Sequence, residues 1–142
     1  MIYTNATKKA LKLCYKAHMG QYDYNDIPYV FHPLHIAEQM QDEDSTVVAL
    51  LHDVVEDTDY TIDDLIEMGF NSRVIEAVRL LTHDNDVPYL DYLEDIKKNS
   101  LAKTVKIADI LHNADQTRLD VIDDKAVYWA EKYKKALEVL GN

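Results

Sequence analysis

The amino-acid sequence predicts an all-α protein, a single-domain helical bundle, and three observations support this. Apolar residues recur at helical rather than alternating spacing along nearly the whole chain. Glycine and proline, which interrupt helices, occur only three times each. The chain has 142 residues, 47% of them hydrophobic, which is enough for one core but not two. We therefore expect one domain over residues 1–142 with one functional site.

Residues that begin and end helices place the elements in the first part of the chain. Gly20 follows a first helix over about residues 5–19, because glycine readily adopts the left-handed conformation beyond a helix C-terminus. Residues 21–31 are polar and rich in tyrosine, so we expect a loop there. Pro33 suits the first turn of a second helix, which places His32 at the mouth of that helix.

The remaining helices follow from similar signals. Ser45 is a suitable N-cap for a third helix, which continues through the apolar run at residues 47–51 to about Glu56. The polar segment Asp57-Thr58-Asp59 ends that helix. The later helices are expected at about residues 61–68, 72–81 and 88–97, then from residues 99–100 through 111, and at about 125–140.

The formal net charge of −11 restricts the classes of partner. Such a charge repels polyphosphate backbones and anionic membranes, so neither nucleic-acid polymers nor membranes are expected as partners. An anionic small-molecule substrate would need a local positive charge, and a bound divalent metal is the usual source. Cys14 is the only cysteine, which excludes an internal disulfide and fits a cytoplasmic location.

Two apolar segments contain polar residues where core residues are expected. His52 and Asp53 directly follow the run at residues 47–51, and Asp109 lies in a second apolar helix. A carboxylate buried there without a partner would cost several kcal/mol or take up a proton. A metal would remove this cost, and imidazole and carboxylate ligands without thiolates suit Mn, Fe, Co or Zn. The four candidate ligands are His32, His52, Asp53 and Asp109; the alternative is that they only pair with one another in the core.

Glu56 and Asp57 are candidates for a general acid and base. They lie one helical turn after the predicted His-Asp ligand pair, so both carboxylates can point towards the metal site. With a metal-bound water as nucleophile, one carboxylate accepts its proton while the other orients the water or protonates the leaving oxygen. The alternative is a solvated acidic helix end. His35, three residues after His32, is a candidate outer contact or substitute ligand.

Four segments carry a resemblance to a known family: HMGQ at 18–21, PYVFHPLHIA at 28–37, ALLHDVVEDT at 49–58 and VKIADILHNAD at 105–115. They resemble the HD superfamily, and more closely the (p)ppGpp hydrolase domains of Rel/SpoT type and their small stand-alone relatives. The resemblance implies an HD-type helical bundle whose four candidate ligands hold Mn²⁺, with Fe, Co, Zn or Mg as alternatives. It also implies that Glu56 and Asp57 are the catalytic pair and that Asn113 helps to hold the substrate.

The chain departs from this family where the nucleobase is expected to bind. Where the family usually has a basic pair that packs on guanine, this chain has Asp23 and Tyr24. The first hypothesis is a metal-dependent (p)ppGpp 3′-pyrophosphohydrolase, with Asn113, Tyr24 and Lys106 as candidate substrate contacts. One alternative is an HD phosphatase for another small nucleotide or phosphate ester, with Tyr22 or Tyr24 stacked on the base. Another is a regulatory domain that binds metal and nucleotide without turnover.

Overall fold

Nine α-helices make up most of the regular structure of residues 1–141, the part of the chain that the computed structural model describes. In chain order they are α1 (Asn5–Ala17), α2 (Phe31–Glu38), α3 (Glu43–Leu51), α4 (Val54–Asp57), α5 (Ile62–Glu67), α6 (Ser72–Leu81), α7 (Tyr89–Lys97), α8 (Ser100–Asn113) and α9 (Asp124–Gly141). The only extended pairing among the described residues is an isolated bridge between Tyr22 and Pro28. The prediction of an all-α fold is confirmed; Asn142, the last residue of the predicted domain, lies outside the described residues.

The central helix of the bundle is α3. Its residues 45–51 are all buried, and it packs against α1, α2, α6 and α8. The continuous apolar run at residues 47–51 explains this position, because a helix that is apolar on every side is stable only when other helices surround it. The helices α7 and α9 pack against α8 and against each other. No described helix combines the length and the apolar character needed to cross a bilayer.

The N-cap of α3 is Asp42, so the expectation that Ser45 caps this helix was wrong. Asp42 Oδ1 accepts hydrogen bonds from the Ser45 backbone N–H at 2.8 Å and from the Ser45 hydroxyl at 2.6 Å. Glu43 and Asp44 occupy the first turn, where the helix dipole favours negative charge. Ser45 is therefore a buried first-turn residue that donates to the cap.

The helix that was expected to run to Glu56 is interrupted at His52 and Asp53, which separate α3 from α4. The His52 ring donates from Nδ1 to the Ala49 carbonyl at 2.6 Å. In an uninterrupted helix this carbonyl would be the acceptor for the Asp53 N–H. His52 and Asp53 keep right-handed helical backbone angles at the interruption, with φ of −60° and −104°. The interruption leaves the Ala49 carbonyl to the His52 ring, which holds this side chain in place.

Candidate metal centre and adjoining cavity

The four predicted ligands converge on one point in the bundle. His32 lies in the first turn of α2, His52 and Asp53 lie at the interruption between α3 and α4, and Asp109 lies in α8. One ligand atom of each residue lies within 4.8 Å of those of the other three. His32 Nε2 is 2.8 Å from Asp109 Oδ1, and His52 Nε2 is 3.0 Å from Asp53 Oδ2. The structure therefore contains a candidate metal site at the predicted residues His32, His52, Asp53 and Asp109.

The tautomer of His52 shows that a cation fits this point. Its Nδ1 carries the ring proton, because Nδ1 lies 2.6 Å from the Ala49 carbonyl, which can only accept. In the neutral imidazole the lone pair is then on Nε2. This nitrogen is buried, faces the carboxylates of Asp53 and Asp109, and makes no hydrogen bond with any described residue. A buried lone pair that faces two carboxylates needs a positive charge between them, and this donor set suits a divalent metal.

The charges around the site also favour a cation. Burial by itself lowers the pKa of His52, but Asp53 and Asp109 more than compensate and raise this pKa well above its usual value. Burial by itself raises the pKa of Asp109, but the ion pair with Lys106 at 3.0 Å and the nearby imidazoles hold it well below its usual value. The site therefore stabilises positive charge and keeps the Asp109 carboxylate ionised.

Three further side chains orient the carboxylate ligands. The Tyr29 hydroxyl donates to Asp53 Oδ2 at 2.5 Å. Lys106 Nζ and Asn113 Nδ2 donate to the two oxygens of Asp109 at 3.0 and 3.2 Å. Such outer contacts fix the orientation of a ligand and tune its basicity. Tyr29 was not identified from the sequence, although its place in the PYVFHP segment, one helical turn before the histidine ligand, was a usable signal.

Glu56 and Asp57 lie beside the site, with carboxylate oxygens within 4.8 Å of those of Asp53. Glu56 Oε1 accepts a hydrogen bond from the His83 backbone N–H at 2.6 Å, which anchors Glu56 to the segment between α6 and α7. Partial burial, together with the charges of Asp53 and Glu56, raises the pKa of Asp57 to about 6. A carboxyl group with a pKa close to neutrality is suited to both accepting and releasing a proton.

A cavity of about 690 Å³ adjoins the site. Four of the predicted site residues line it, namely Tyr24, His32, Asp57 and Asn113. Further aromatic side chains form much of the remaining lining: Tyr22, Tyr29, Trp129 and Tyr133. Tyr24 is 85% exposed, and Lys125 Nζ lies 5.0 Å from the centre of its ring. The volume and the aromatic lining suit a ligand of nucleotide size.

Residues 10–118 match the family model described as HD domain. This chain belongs to the HD-domain family. Over 102 residues the HD domain is 38% identical to the human guanosine-3′,5′-bis(diphosphate) 3′-pyrophosphohydrolase MESH1, covering 64% of this chain and 56% of the human protein. Over 134 residues it is 34% identical to the chloroplastic GTP diphosphokinase RSH1 of Oryza sativa subsp. japonica, covering 77% of this chain and 15% of the plant protein. The chain therefore spans just over half of the human relative and a small part of the plant relative.

The HD domain also resembles a solved structure, that of a metazoan ortholog of SpoT that hydrolyzes ppGpp. The TM-score is 0.82 at 27% identity, and the match covers 99% of this chain and 88% of that chain. The family and the HD-type helical bundle that the sequence motifs implied are both confirmed. The relationship includes the SpoT and Rel proteins and their stand-alone relatives.

Two predicted positions of the HD domain have contacts other than those expected. Lys106 is not among the described residues that line the cavity. Its Nζ binds Asp109 and lies 5.4 Å from the centre of the Tyr92 ring, so its role as a substrate contact stays a prediction. His35 does not join the four-residue site; it is exposed, and its ring stacks on His112 with 4.0 Å between the ring centres.

Asp23, which stands where a basic residue was expected, forms an ion pair with Arg118 at 3.6 Å. Arg118 is the only lysine or arginine among the described residues that line the cavity, and it also donates to the His112 carbonyl at 2.9 Å.

Burial, together with the charge of Arg118, lowers the pKa of His112 to about 4. His112 was not singled out from the sequence, because its partner His32 lies 80 residues away and no local pattern reports such a pairing.

Proposed function

We propose that this protein is a metal-dependent pyrophosphohydrolase that releases pyrophosphate from the 3′ position of (p)ppGpp-type nucleotides. The observation that carries the proposal is that the four-ligand site, the Glu56–Asp57 pair and a cavity of nucleotide size adjoin one another. The human relative is named as a guanosine-3′,5′-bis(diphosphate) 3′-pyrophosphohydrolase, and the metazoan relative hydrolyzes ppGpp. Both relatives support the same chemistry for this chain.

We propose Mn²⁺ as the cation, with Fe, Co, Zn and Mg as the alternatives to be compared. Two imidazole nitrogens and two carboxylates would hold it, from His32, His52, Asp53 and Asp109. A divalent cation bound there supplies Lewis acidity and offsets phosphate charge, which the net charge of −11 would otherwise repel. The orientation of Asp53 and Asp109 is maintained by their contacts to Tyr29, Lys106 and Asn113.

Asp57 and Glu56 are the proposed proton-transfer and positioning groups. Asp57 accepts a proton from the water that attacks the nearer phosphorus of the 3′-diphosphate, and its pKa of about 6 suits this role. Glu56, anchored through Oε1 to the His83 N–H, orients that water. The bond between this phosphorus and the ribose 3′ oxygen breaks, and Asp57 returns the proton to the departing oxygen. The products are a 3′-hydroxyl nucleotide and pyrophosphate.

The lining of the cavity also supports a second candidate, hydrolysis of another small nucleotide or phosphate ester. Asp23 is paired with Arg118, and Tyr24 is exposed, so the basic pair expected to pack on guanine is replaced by an acid and an aromatic ring. Tyr22 or Tyr24 would then stack on the base, and Asn113 would contact sugar or phosphate. A regulatory domain without turnover is less well supported, because such a site has no use for the Glu56–Asp57 pair.

The test is a hydrolysis panel with Mn²⁺, in which ppGpp, NADPH and several nucleoside monophosphates are incubated with protein of measured metal content. The expected result is pyrophosphate release from ppGpp alone, with about one metal ion per chain bound at the four-ligand site. Orthophosphate from a different substrate would replace the alarmone proposal with the second candidate. Bound metal without any turnover would favour the regulatory role.

We further assign the whole of residues 1–142 to one HD domain, although the family match covers residues 10–118. The helix α9 lies beyond that match, and its residues Ala136 and Leu140 are buried where it packs against α7 and α8. We also propose a cytoplasmic location, because Cys14 is a buried free thiol and the chain contains no second cysteine with which to pair.

A further inference from the structure

We propose that His112 is a positioning residue that fixes the tautomer of His32, so that His32 Nε2 is free to bind the metal. The two Nδ1 atoms are 2.7 Å apart, the ring centres are 5.0 Å apart, and the ring planes differ by 10°. Two imidazoles reach such a short nitrogen–nitrogen distance at this separation only when they meet edge to edge in a common plane. This arrangement is a hydrogen bond between rings, not a face-to-face stack.

The direction of this hydrogen bond follows from the site that it supports. A bond between two nitrogens needs one N–H and one lone pair. His32 Nε2 donates to Asp109 Oδ1 at 2.8 Å and lies 3.8 Å from Asp53 Oδ2, so a cation held by these ligands takes the place of the proton on this nitrogen. To bind a cation it must offer its lone pair, and the neutral ring then carries its proton on Nδ1. That proton points at His112 Nδ1, which accepts it.

The surroundings of His112 restrict the position of its ring. The backbone carbonyl of His112 accepts from Arg118, and the His35 ring stacks on the His112 ring at 20° between planes. His112 also follows Asp109 by one turn of α8, just as His35 follows His32 by one turn of α2. One face of α8 therefore carries both a metal ligand and the side chain that orients a ligand on the neighbouring helix. This inference rests on the proposed metal site, but not on its substrate.

The experiment compares Mn²⁺ affinity among the wild type and three variants of the metal-free chain of residues 1–142, by competition with a chelating dye. His112→Phe keeps a flat ring against His35 but removes the acceptor, and we expect its Kd for Mn²⁺ to rise about 10- to 100-fold. His112→Asn places an amide oxygen near the former Nδ1 and should restore most of the affinity. His35→Phe preserves the stacking without touching His32, and its Kd should match that of the wild type.

Two outcomes would overturn the inference. One is an unchanged Kd for Mn²⁺ in His112→Phe. The other is an equal loss of Mn²⁺ affinity in His112→Asn and His112→Phe while both variants keep the melting temperature of the wild type. Should His112→Phe fail to fold, NMR on the wild-type chain loaded with diamagnetic Zn²⁺ decides the question. We expect His32 to be protonated at Nδ1, and a lone pair at Nδ1 would contradict the proposal. If the variants change the Mn²⁺ affinity as expected but the wild type hydrolyses none of the substrates, the proposed function is overturned and the role of His112 is retained. No metal binding by the wild type would overturn both.

Discussion

Glu56 and Asp57 are sequence neighbours that the protein holds in different ways. Glu56 is fixed at one oxygen by the backbone N–H of His83. The carboxylate of Asp57 has no such anchor in the described structure, but its backbone carbonyl accepts from Gln21, whose side-chain oxygen is 2.8 Å from His18 Nδ1. Gln21 of the HMGQ segment therefore supports the backbone of Asp57. This difference is the basis on which we propose the positioning role for Glu56 and the proton-transfer role for Asp57.

The substitution Glu56→Gln tests this assignment. The amide keeps an oxygen that can accept from the His83 N–H, but it lacks the negative charge that orients the attacking water. We expect kcat to fall about 10²-fold, the cost of a misplaced reactant, while metal content stays unchanged because Glu56 is not one of the four candidate ligands. Steady-state kinetics and metal analysis on the same preparation measure both quantities. Normal turnover in this variant would show that the assignment is wrong.

The substitution Asp109→Ala removes a ligand and also the partner of Lys106. The pair is largely buried, with side chains 15% and 8% exposed, so an unpaired ammonium would remain in the core. We expect loss of bound metal and a decrease of about 3–5 kcal/mol in the free energy of unfolding, measured by urea denaturation. Asp95→Ala is the control, because its ion pair with Lys98 is exposed and should contribute at most about 1 kcal/mol. Full metal occupancy in Asp109→Ala would argue against a four-ligand site.

At the scale of single elements, the start of α3 depends on one side chain. Asp42 accepts from both the backbone and the hydroxyl of Ser45. Asp42→Ala is therefore expected to lower the free energy of unfolding by about 0.5–2 kcal/mol. Asp42→Asn should keep most of the wild-type stability, because its amide oxygen can accept the same hydrogen bonds. Urea denaturation of both variants measures the difference. Equal stability of the alanine variant and the wild type would mean that another residue can cap α3.

Element boundaries could be predicted from the sequence where one signal dominates. The α6 helix was expected at residues 72–81 and is found at Ser72–Leu81. The start of α3 was misplaced because several consecutive residues are capable caps, and only the folded backbone selects Asp42. The break at His52 and Asp53 was missed because apolar spacing continues on both sides, and a side chain that bonds its own helix carbonyl leaves no periodic signal.

The site was more predictable than the contacts that support it. His52, Asp53 and Asp109 stand out as polar residues within apolar segments, so burial cost alone indicates them. The Lys106–Asp109 pair was also accessible from sequence, because residues three apart meet on a helix surface. Long-range contacts such as Tyr29 to Asp53 join residues 24 positions apart, and only the packing of whole helices brings them together.

For the molecule as a whole, the candidate metal site joins α2, the α3–α4 junction and α8, which are far apart in the chain. Metal that binds only the folded state stabilises it, by about 2.7 kcal/mol when free metal is 100 times its Kd. We therefore expect a chelator to lower the melting temperature by about 5–10 °C and added Mn²⁺ to restore it, as measured by calorimetry. The chelator should have no effect on Asp109→Ala. A melting temperature independent of metal would contradict the site.

The same linkage gives a dependence on pH. His32 and His52 must be deprotonated at Nε2 to bind a cation, so metal binding releases protons and weakens as the pH falls. The stabilisation by Mn²⁺ should therefore decrease on acidification, in parallel with the Kd measured at each pH. A metal affinity that is constant between neutral and mildly acidic pH would mean that the imidazoles do not bind the metal.

The interruption between α3 and α4 also affects how this protein can be engineered. Substitutions that raise helix propensity across the junction would favour a continuous helix. A screen for thermostability alone would select such substitutions. In a continuous helix the Asp53 N–H would compete with the His52 ring for the Ala49 carbonyl, which would loosen one of the candidate metal ligands. Stability screens on this scaffold therefore need metal content as a second criterion, because a more regular helix at this junction is gained at the expense of the contact that holds His52.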